Sequence, residues 1–348
     1  MKRIYNLGFL LFLATGFVYQ AGAVDVTVGG YVDAQFNAGW SKDISTSATS
    51  GGATFYTKED ADYQTFRFNQ GAIRLSSQVG SSSVMVDIDL FGPAITKSTG
   101  FSTSTTNQAI SIGETQSQAF VATKYENGFD WMLGQFDSRY GFEGNDTDTI
   151  RFSAHGILWD LMPVTHVGAV LGYGFSDQLR FEILVGNAYN QGHLKEGNVD
   201  MGAKVYTEMG GYSFNLGFLG STGDHDQAGF EKEFGYLVDL DIGMEVAGHD
   251  FAIYGAYKKP DHKDSIKDWG FGADFGYGPD VGMGYGMRVE YASISDDKVW
   301  EMTVGPQYRF NSDFVTKFDY SYKTTNFADA IKDDQLDHSL NLAAVYTF

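Results

Sequence analysis

The sequence predicts an all-β protein, a closed antiparallel transmembrane β-barrel. Three observations lead there. Segments of period-two alternation recur along the chain, their links alternate between short and long, and the alternation starts directly behind an export-type leader. The last segment shows the pattern most plainly. His338, Leu340, Leu342, Ala344, Tyr346 and Phe348 share one face, and Asp337, Ser339, Asn341, Ala343, Val345 and Thr347 share the other. Side chains alternate across a strand, so this stretch meets unlike surroundings on its two sides.

Residues 1–23 read as a secretory signal: Lys2 and Arg3, an apolar run from Leu7 to Val18, then Ala21-Gly22-Ala23 as a small-residue cleavage site. Residues 24–348 then form one barrel domain. No later apolar run is long enough for a helical span. The 28 Phe, 21 Tyr and 43 Gly against 5 Pro favour strands and tight turns. With no cysteine, disulfides and thiolate metal sites are excluded. The formal charge of −20 becomes −22 once Lys2 and Arg3 are removed. A nucleic-acid partner needs the opposite balance, whereas a solvated exterior and a cation-favouring lumen fit this one.

In order, the alternation predicts strands over 25–38, 66–77, 83–91, 114–123, 128–137, 165–175, 178–187, 199–208, 211–220, 232–242, 250–258, 268–277, 282–292, 300–309, 314–323 and 337–348. That is roughly sixteen strands, with fourteen or eighteen left open. Phe129/Trp131/Leu133 and Trp269/Phe271/Ala273/Phe275/Tyr277 show the lipid type of face. The opposite faces are rich in Gly or charge, which a greasy core would not tolerate but a watery lumen does. In the second strand Phe66 and Phe68 cannot share a face with Ile73 and Leu75 unless a bulge falls near Gln70–Ala72. The links 39–65, 92–113, 138–164, 188–198, 221–231, 259–267, 293–299 and 324–336 read as long extracellular loops. Those between them read as short periplasmic turns, although 243–249 is comparable in length with 293–299. Tyr31, Trp131, Tyr173, Tyr212, Trp269, Tyr291, Trp300, Tyr308 and Tyr346 suit interfacial girdles. Small-residue patches such as Gly282/Gly284/Gly286 suit close chain approach.

By parity the lumen is lined by Arg67, Arg74, Asp87, Asp89, Asp130, Arg180, Glu182, Lys204, Asp239, Asp241, Arg288, Glu290, Lys317 and Asp319, with acids in slight excess. The terminal Phe348, in phase with Tyr346, resembles the C-terminal signal read by outer-membrane assembly machinery. The acidic clusters Asp146/Asp148, Asp224/Asp226, Asp296/Asp297 and Asp333/Asp334 lack calcium-loop spacing and read as loop charge, and the seven histidines show no paired spacing. His166, at a strand start, reads as a rim residue. Ser153 and His155 stand near Asp146 and Asp148, but no motif supports a catalytic set, so the chain reads as a non-enzyme without metal or cofactor.

The run Leu133-Gly134-Gln135-Phe136-Asp137-Ser138-Arg139-Tyr140-Gly141-Phe142-Glu143-Gly144-Asn145-Asp146 resembles outer-membrane barrels of the OmpL-like "beta-barrel porin-2" type. So do Phe152-Ser153, Pro163 to Gly168, Tyr173 to Asp177 and Val185 to Asn190. The resemblance implies an outer-membrane porin of a Gram-negative envelope, passing small hydrophilic solutes or ions, and the acid excess of the lumen lining adds the expectation of a mild preference for cations. It implies lipid and lipopolysaccharide as surroundings and, by analogy with sixteen-stranded porins, a homotrimer. In such porins the loop at the place of 138–164 folds inward, which would put Asp137, Arg139, Glu143, Asp146, Asp148 and Arg151 at a constriction. Phe142, Ile157, Leu158, Trp159 and Leu161 could anchor it. The competing reading is a non-conducting structural or surface-interaction barrel.

Overall fold

The computed structural model describes residues 25–50, 53–91, 118–187, 199–221, 235–259, 267–327 and 335–348, with the side chains of 42–63, 67–68 and 89–91 left undescribed. The signal reading over residues 1–23 and most of the long loops lie outside them. Among the described residues the elements are β1 (Val26–Ser50), β2 (Ala53–Val79), β3 (Ser82–Phe91), β4 (Gln118–Lys124), β5 (Phe129–Asp137), β6 (Thr165–Ser176), β7 (Leu179–Asn187) and β8 (Val199–Met209). They continue as β9 (Tyr212–Ser221), β10 (Gly235–Val246), β11 (His249–Lys259), β12 (Asp268–Tyr277), β13 (Gly282–Ile294), β14 (Asp297–Arg309), β15 (Phe314–Asn326) and β16 (Gln335–Thr347). Each strand pairs antiparallel with its sequence neighbours, and β1 pairs with β16, so the sheet is a closed barrel of sixteen strands. Closure leaves no strand edge along the seam, where an unpaired backbone group in hydrocarbon would cost several kcal/mol.

The chain's end makes the seam. Gly30 and Phe348 exchange two backbone hydrogen bonds of 3.0 Å, and Tyr31 stands opposite Thr347. A Cβ on Gly30 would press into the Ala72 carbonyl and the Phe348 ring, so glycine lets three chain segments meet. Deleting Tyr346–Phe348 removes these bonds and two lipid-facing rings. We expect the deletion to lower the amount of heat-modifiable barrel in outer membranes about tenfold or more, and a trim within 92–113 to leave it unchanged. Equal amounts from both would refute the seam's role.

The two faces segregate as alternation requires. Leu342 and Phe271, 49% and 53% exposed, belong to an outer surface of large apolar side chains that water could not surround. On β12 this surface runs from Trp269 to Tyr277, about 27 Å along the strand and about 21 Å along the barrel axis at a tilt near 40°. That approaches the ~25 Å apolar band of outer-membrane barrels. Rings cluster at both ends: Trp269, Tyr291 and Trp300 above, Tyr308, Phe310 and Phe314 below. The inner face holds Asp33, Glu182, Asp239, Arg288, Lys317 and Asn341.

Four expectations change. The span 39–65 is no loop: β1 and β2 stay paired up to Ser50 and Ala53, forming a two-stranded ribbon beyond the wall. Thr, Tyr and Phe favour strand there, while the polar composition masks the alternation. The link within 293–299 is a two-residue turn, with Ser295 and Asp296 both at positive φ, the pairing a type I′ hairpin uses. The bulge falls at Asn69, one residue before the predicted window. It directs Asn69 and Gln70 both inward, which is what reverses the parity between Phe66 and Ile73. Tyr31 is no girdle residue. It shares parity with Asp33 and Gln35 and is fully buried in the lumen, and the aromatic type outweighed the alternation.

Candidate functional site

The segment 138–164, between β5 and β6, has almost no regular structure beyond a single 3-10 turn at Trp159–Leu161. Its polar groups are bonded instead to lumen-facing side chains of distant strands. On β1 and β2, Tyr31 donates to Asp146 at 3.1 Å, and Arg74 binds Asp146 at 2.5 Å and Asp148 at 2.8 Å while also holding Asp87. Gln70 accepts from the Thr147 backbone N–H at 2.9 Å. On β7, Glu182 takes both Nε and Nη2 of Arg139. On β9 and β10, Tyr140 donates to the Phe218 carbonyl and the Gly141 N–H donates to Asp239. Phe142 stacks on Tyr254 of β11 at 4.2 Å. Arg151 reaches Asp250 and Asp274, each at 3.1 Å.

Two buried cations of the wall grip the segment's backbone. The Lys317 ammonium donates to the carbonyls of Thr147, Ile150 and Phe152 at 2.8, 2.6 and 3.2 Å. The Arg288 guanidinium pairs with Glu143, donates to the Ala154 carbonyl at 3.2 Å, and holds Glu301 at 3.2 Å with Glu290 beside it. Asp319 accepts from the Ser153 N–H. A segment of irregular backbone at membrane depth thus has its polar groups satisfied by the wall, the condition under which such backbone persists there.

Glycines on the inner face make the room. A Cβ at Gly202 or Gly217 would strike Tyr140, one at Gly276 or Gly286 would strike Arg151, and one at Gly270 would strike Leu158. The segment also contributes Tyr140, Ile157, Leu158, Leu161 and Met162 to an apolar cluster with Phe136, Val170, Leu184 and Leu219. A cavity of about 610 Å³ lies on the turn side, lined by Phe142, Arg151, Glu208, Glu245, Asp250 and Asp274. One of about 260 Å³ lies on the loop side, lined by Asn69, Gln70, Thr147, Ser153, Trp159 and Glu301.

The chain matches, over residues 25–348, the family described as "Putative beta-barrel porin-2, OmpL-like". It belongs to that family. No curated protein matches the sequence significantly. Among solved structures, the outer membrane channel DcaP of Acinetobacter baumannii is similar with a TM-score of 0.59 at 13% identity, covering 94% of this chain and 98% of that one. OmpT of Vibrio cholerae gives 0.57 at 10%, covering 94% and 99%. The anion-selective porin from Comamonas acidovorans gives 0.56 at 11%, covering 94% and 100%. At such identities the likeness speaks for the fold.

In this porin-2 barrel the sequence candidates fall into distinct groups. Arg139, Glu143, Asp146, Asp148 and Arg151 all bond to wall side chains, whereas Asp137 ends β5 and bonds to Gln118 at 2.9 Å. Arg74, Asp130, Arg180, Glu182, Lys204, Asp239, Asp241, Arg288, Glu290, Lys317 and Asp319 all take part in inward ion pairs or hydrogen bonds. Arg67 and Asp89 lie outside the described side chains. His166 is no rim residue: it is buried 3.4 Å from Asp200 of β8, since its strand starts within the lumen wall. Parity missed Tyr31 and passed over Asp33, Asp274 and Glu301, whose alternation with Gln35, Gly272 and Thr303 would have placed them. His155, offered above beside Ser153, holds the Gly144 carbonyl at 2.9 Å and stacks on Trp159. Among the described residues no group of His, Asp or Glu could hold a metal.

Two titrating groups of the segment act in opposite senses. Burial pushes the Asp146 carboxyl above its ordinary value, with Arg74 opposing. Burial lowers His155 below its ordinary 6.5, with Glu143 opposing and Arg288 and Lys317 adding to the depression. The docked segment therefore binds fewer protons at His155 than a released one does, and docking weakens as pH falls below 6.5. Asp146 acts in the opposite sense, favouring docking as it takes up a proton above its ordinary 3.8. Between pH 7.5 and 5.5 we expect proteolysis within 138–164 to quicken in the wild type, and less so in His155→Phe. An unchanged rate would remove His155 from the balance.

Proposed function

We propose that this chain forms a water-filled diffusion channel in the outer membrane of a Gram-negative bacterium, passing small hydrophilic solutes or ions. One observation carries the reading. A belt of charged side chains lines the inner wall around an inward-packed segment, and open cavities with charged side chains in their lining lie on both sides of that belt. Family membership supports it, as does the presence of channels and porins among the similar folds. The acid excess of the chain, with Glu208, Glu245 and Asp250 at the turn-side cavity, supports a mild preference for cations.

A second reading has its own support. Arg288 and Lys317 are 1% and 3% exposed, so part of the cross-section is packed rather than wet, as in a non-conducting structural or surface-interaction barrel. Planar-bilayer recording of purified protein separates the two. We expect discrete ohmic channels and, under a KCl gradient, a reversal potential on the potassium side. Silence from folded protein would favour the structural barrel, and a chloride-side potential would overturn the cation preference.

A further inference from the structure

The ion pairs of the lumen are not equally wet. On the β8–β15 arc the basic member is sealed: Lys204 is 4% and Arg288 1% exposed. Their carboxylate partners Asp239 and Glu290 are sealed as well, whereas on β5–β7 only the carboxylates are. Arg139 and Arg180 are 39% and 30% exposed, while the carboxylates they hold, Glu182 and Asp130, are 3% and 17% exposed. Charges that cancel by count are thus layered, with carboxylate against the wall and guanidinium toward the lumen.

The layering follows from sequence. Gly172 of β6 stands opposite both Asp130 and Glu182, and a Cβ there would collide with the Arg180 guanidinium and the Asp130 carboxylate. Arg180 can therefore cross β6 to Asp130 while its Nε and Nη2 also bond Glu182 at 3.0 and 2.7 Å. Glu182 accepts from Arg139 and from the Tyr206 hydroxyl at 2.8 Å as well. One buried carboxylate thus fixes two guanidiniums side by side. Glu182 engages Nε and Nη2 of Arg139 and leaves its Nη1 off the carboxylate. Preoriented, partly exposed guanidiniums held as a pair match a carboxylate or phosphate oxygen pair.

We propose that Arg139 and Arg180, held by Glu182, form an anion-recognition station in the lumen that takes the carboxylate or phosphate group of a passing solute. The Arg74 site is not equivalent, because three carboxylates, Asp87, Asp146 and Asp148, surround that single guanidinium. The station deepens the channel reading and, for solute passage, rests on it, so its test has two arms. In bilayers, Arg139→Gln should raise the potassium-to-chloride permeability ratio about threefold, and Arg139→Lys should restore it. In detergent, with no conductance needed, phenylglyoxal should modify Arg139 and Arg180 well before Arg288, and inorganic phosphate should slow that modification severalfold. Acetate in place of phosphate tests the carboxylate source. Silent bilayers with phosphate protection would sink the channel reading and keep the station. Absence of protection by either anion overturns the station, as does conducting Arg139→Gln with an unaltered permeability ratio.

Discussion

Lys317→Met releases the inward segment from the wall while leaving the barrel closed. The ammonium is the shared donor for three carbonyls within six residues, Thr147, Ile150 and Phe152. Hydrogen bonds from a charged donor contribute about 1.5–3 kcal/mol each when their loss strands a buried acceptor. The backbone has no helix or sheet of its own here to take over. Methionine fills similar volume, so the loss is electrostatic and not a cavity effect. Seam and wall pairing do not involve Lys317's side chain, so heat-modifiable barrel should persist. Docking of 138–164 should weaken by about 3 kcal/mol or more, read as at least tenfold faster protease cleavage inside the segment and as larger, noisier single-channel currents. Wild-type cleavage and currents in a folded variant would show that the lysine is not the anchor.

Arg288→Met acts on stability itself. The guanidinium sits over the Phe152 ring at 4.9 Å, with Glu143, Glu290 and Glu301 at its Nη1, Nε and Nη2 in a sealed pocket. Removing one partner of a buried charge network leaves the others uncompensated, a loss of about 3–5 kcal/mol. Tyr254 donates to Glu290 at 2.9 Å and cannot neutralise the remaining charge. The temperature at which the barrel loses its compact form on gels should fall clearly. Arg288→Met with Glu290→Gln should recover part of that fall, because one of the stranded charges is gone. A double variant as unstable as the sum of the singles would mean that the two residues do not act as one network.

Particular residues show why the site was only half legible. Arg74, Glu182, Arg288 and Lys317 were readable as inward because each sits at the right parity in a clear strand. Their partners were not. Nothing local links Lys317 to Ile150, 167 residues away, or Arg74 to Asp148. The inner glycines Gly202, Gly217 and Gly276 were visible as a pattern, but the side chains that fill them come from another part of the chain. Tyr31 is misplaced when residue type is weighed above alternation, and His166 when a strand start is taken for the rim. The ribbon at 39–65 was missed because polar strand looks like loop when neither face is apolar.

The amino-acid order alone determined the barrel, because alternation, turn spacing and an aromatic terminus are local properties that lipid outside and water inside read strand by strand. The count, open between fourteen and eighteen in the sequence, and the closure of β1 on β16 were decided by the strand pairing. Only the folded molecule decided which charges are wet and which are sealed. That depends on how the segment 138–164 crosses the lumen, and burial is a property of what packs above a side chain, which no periodicity encodes.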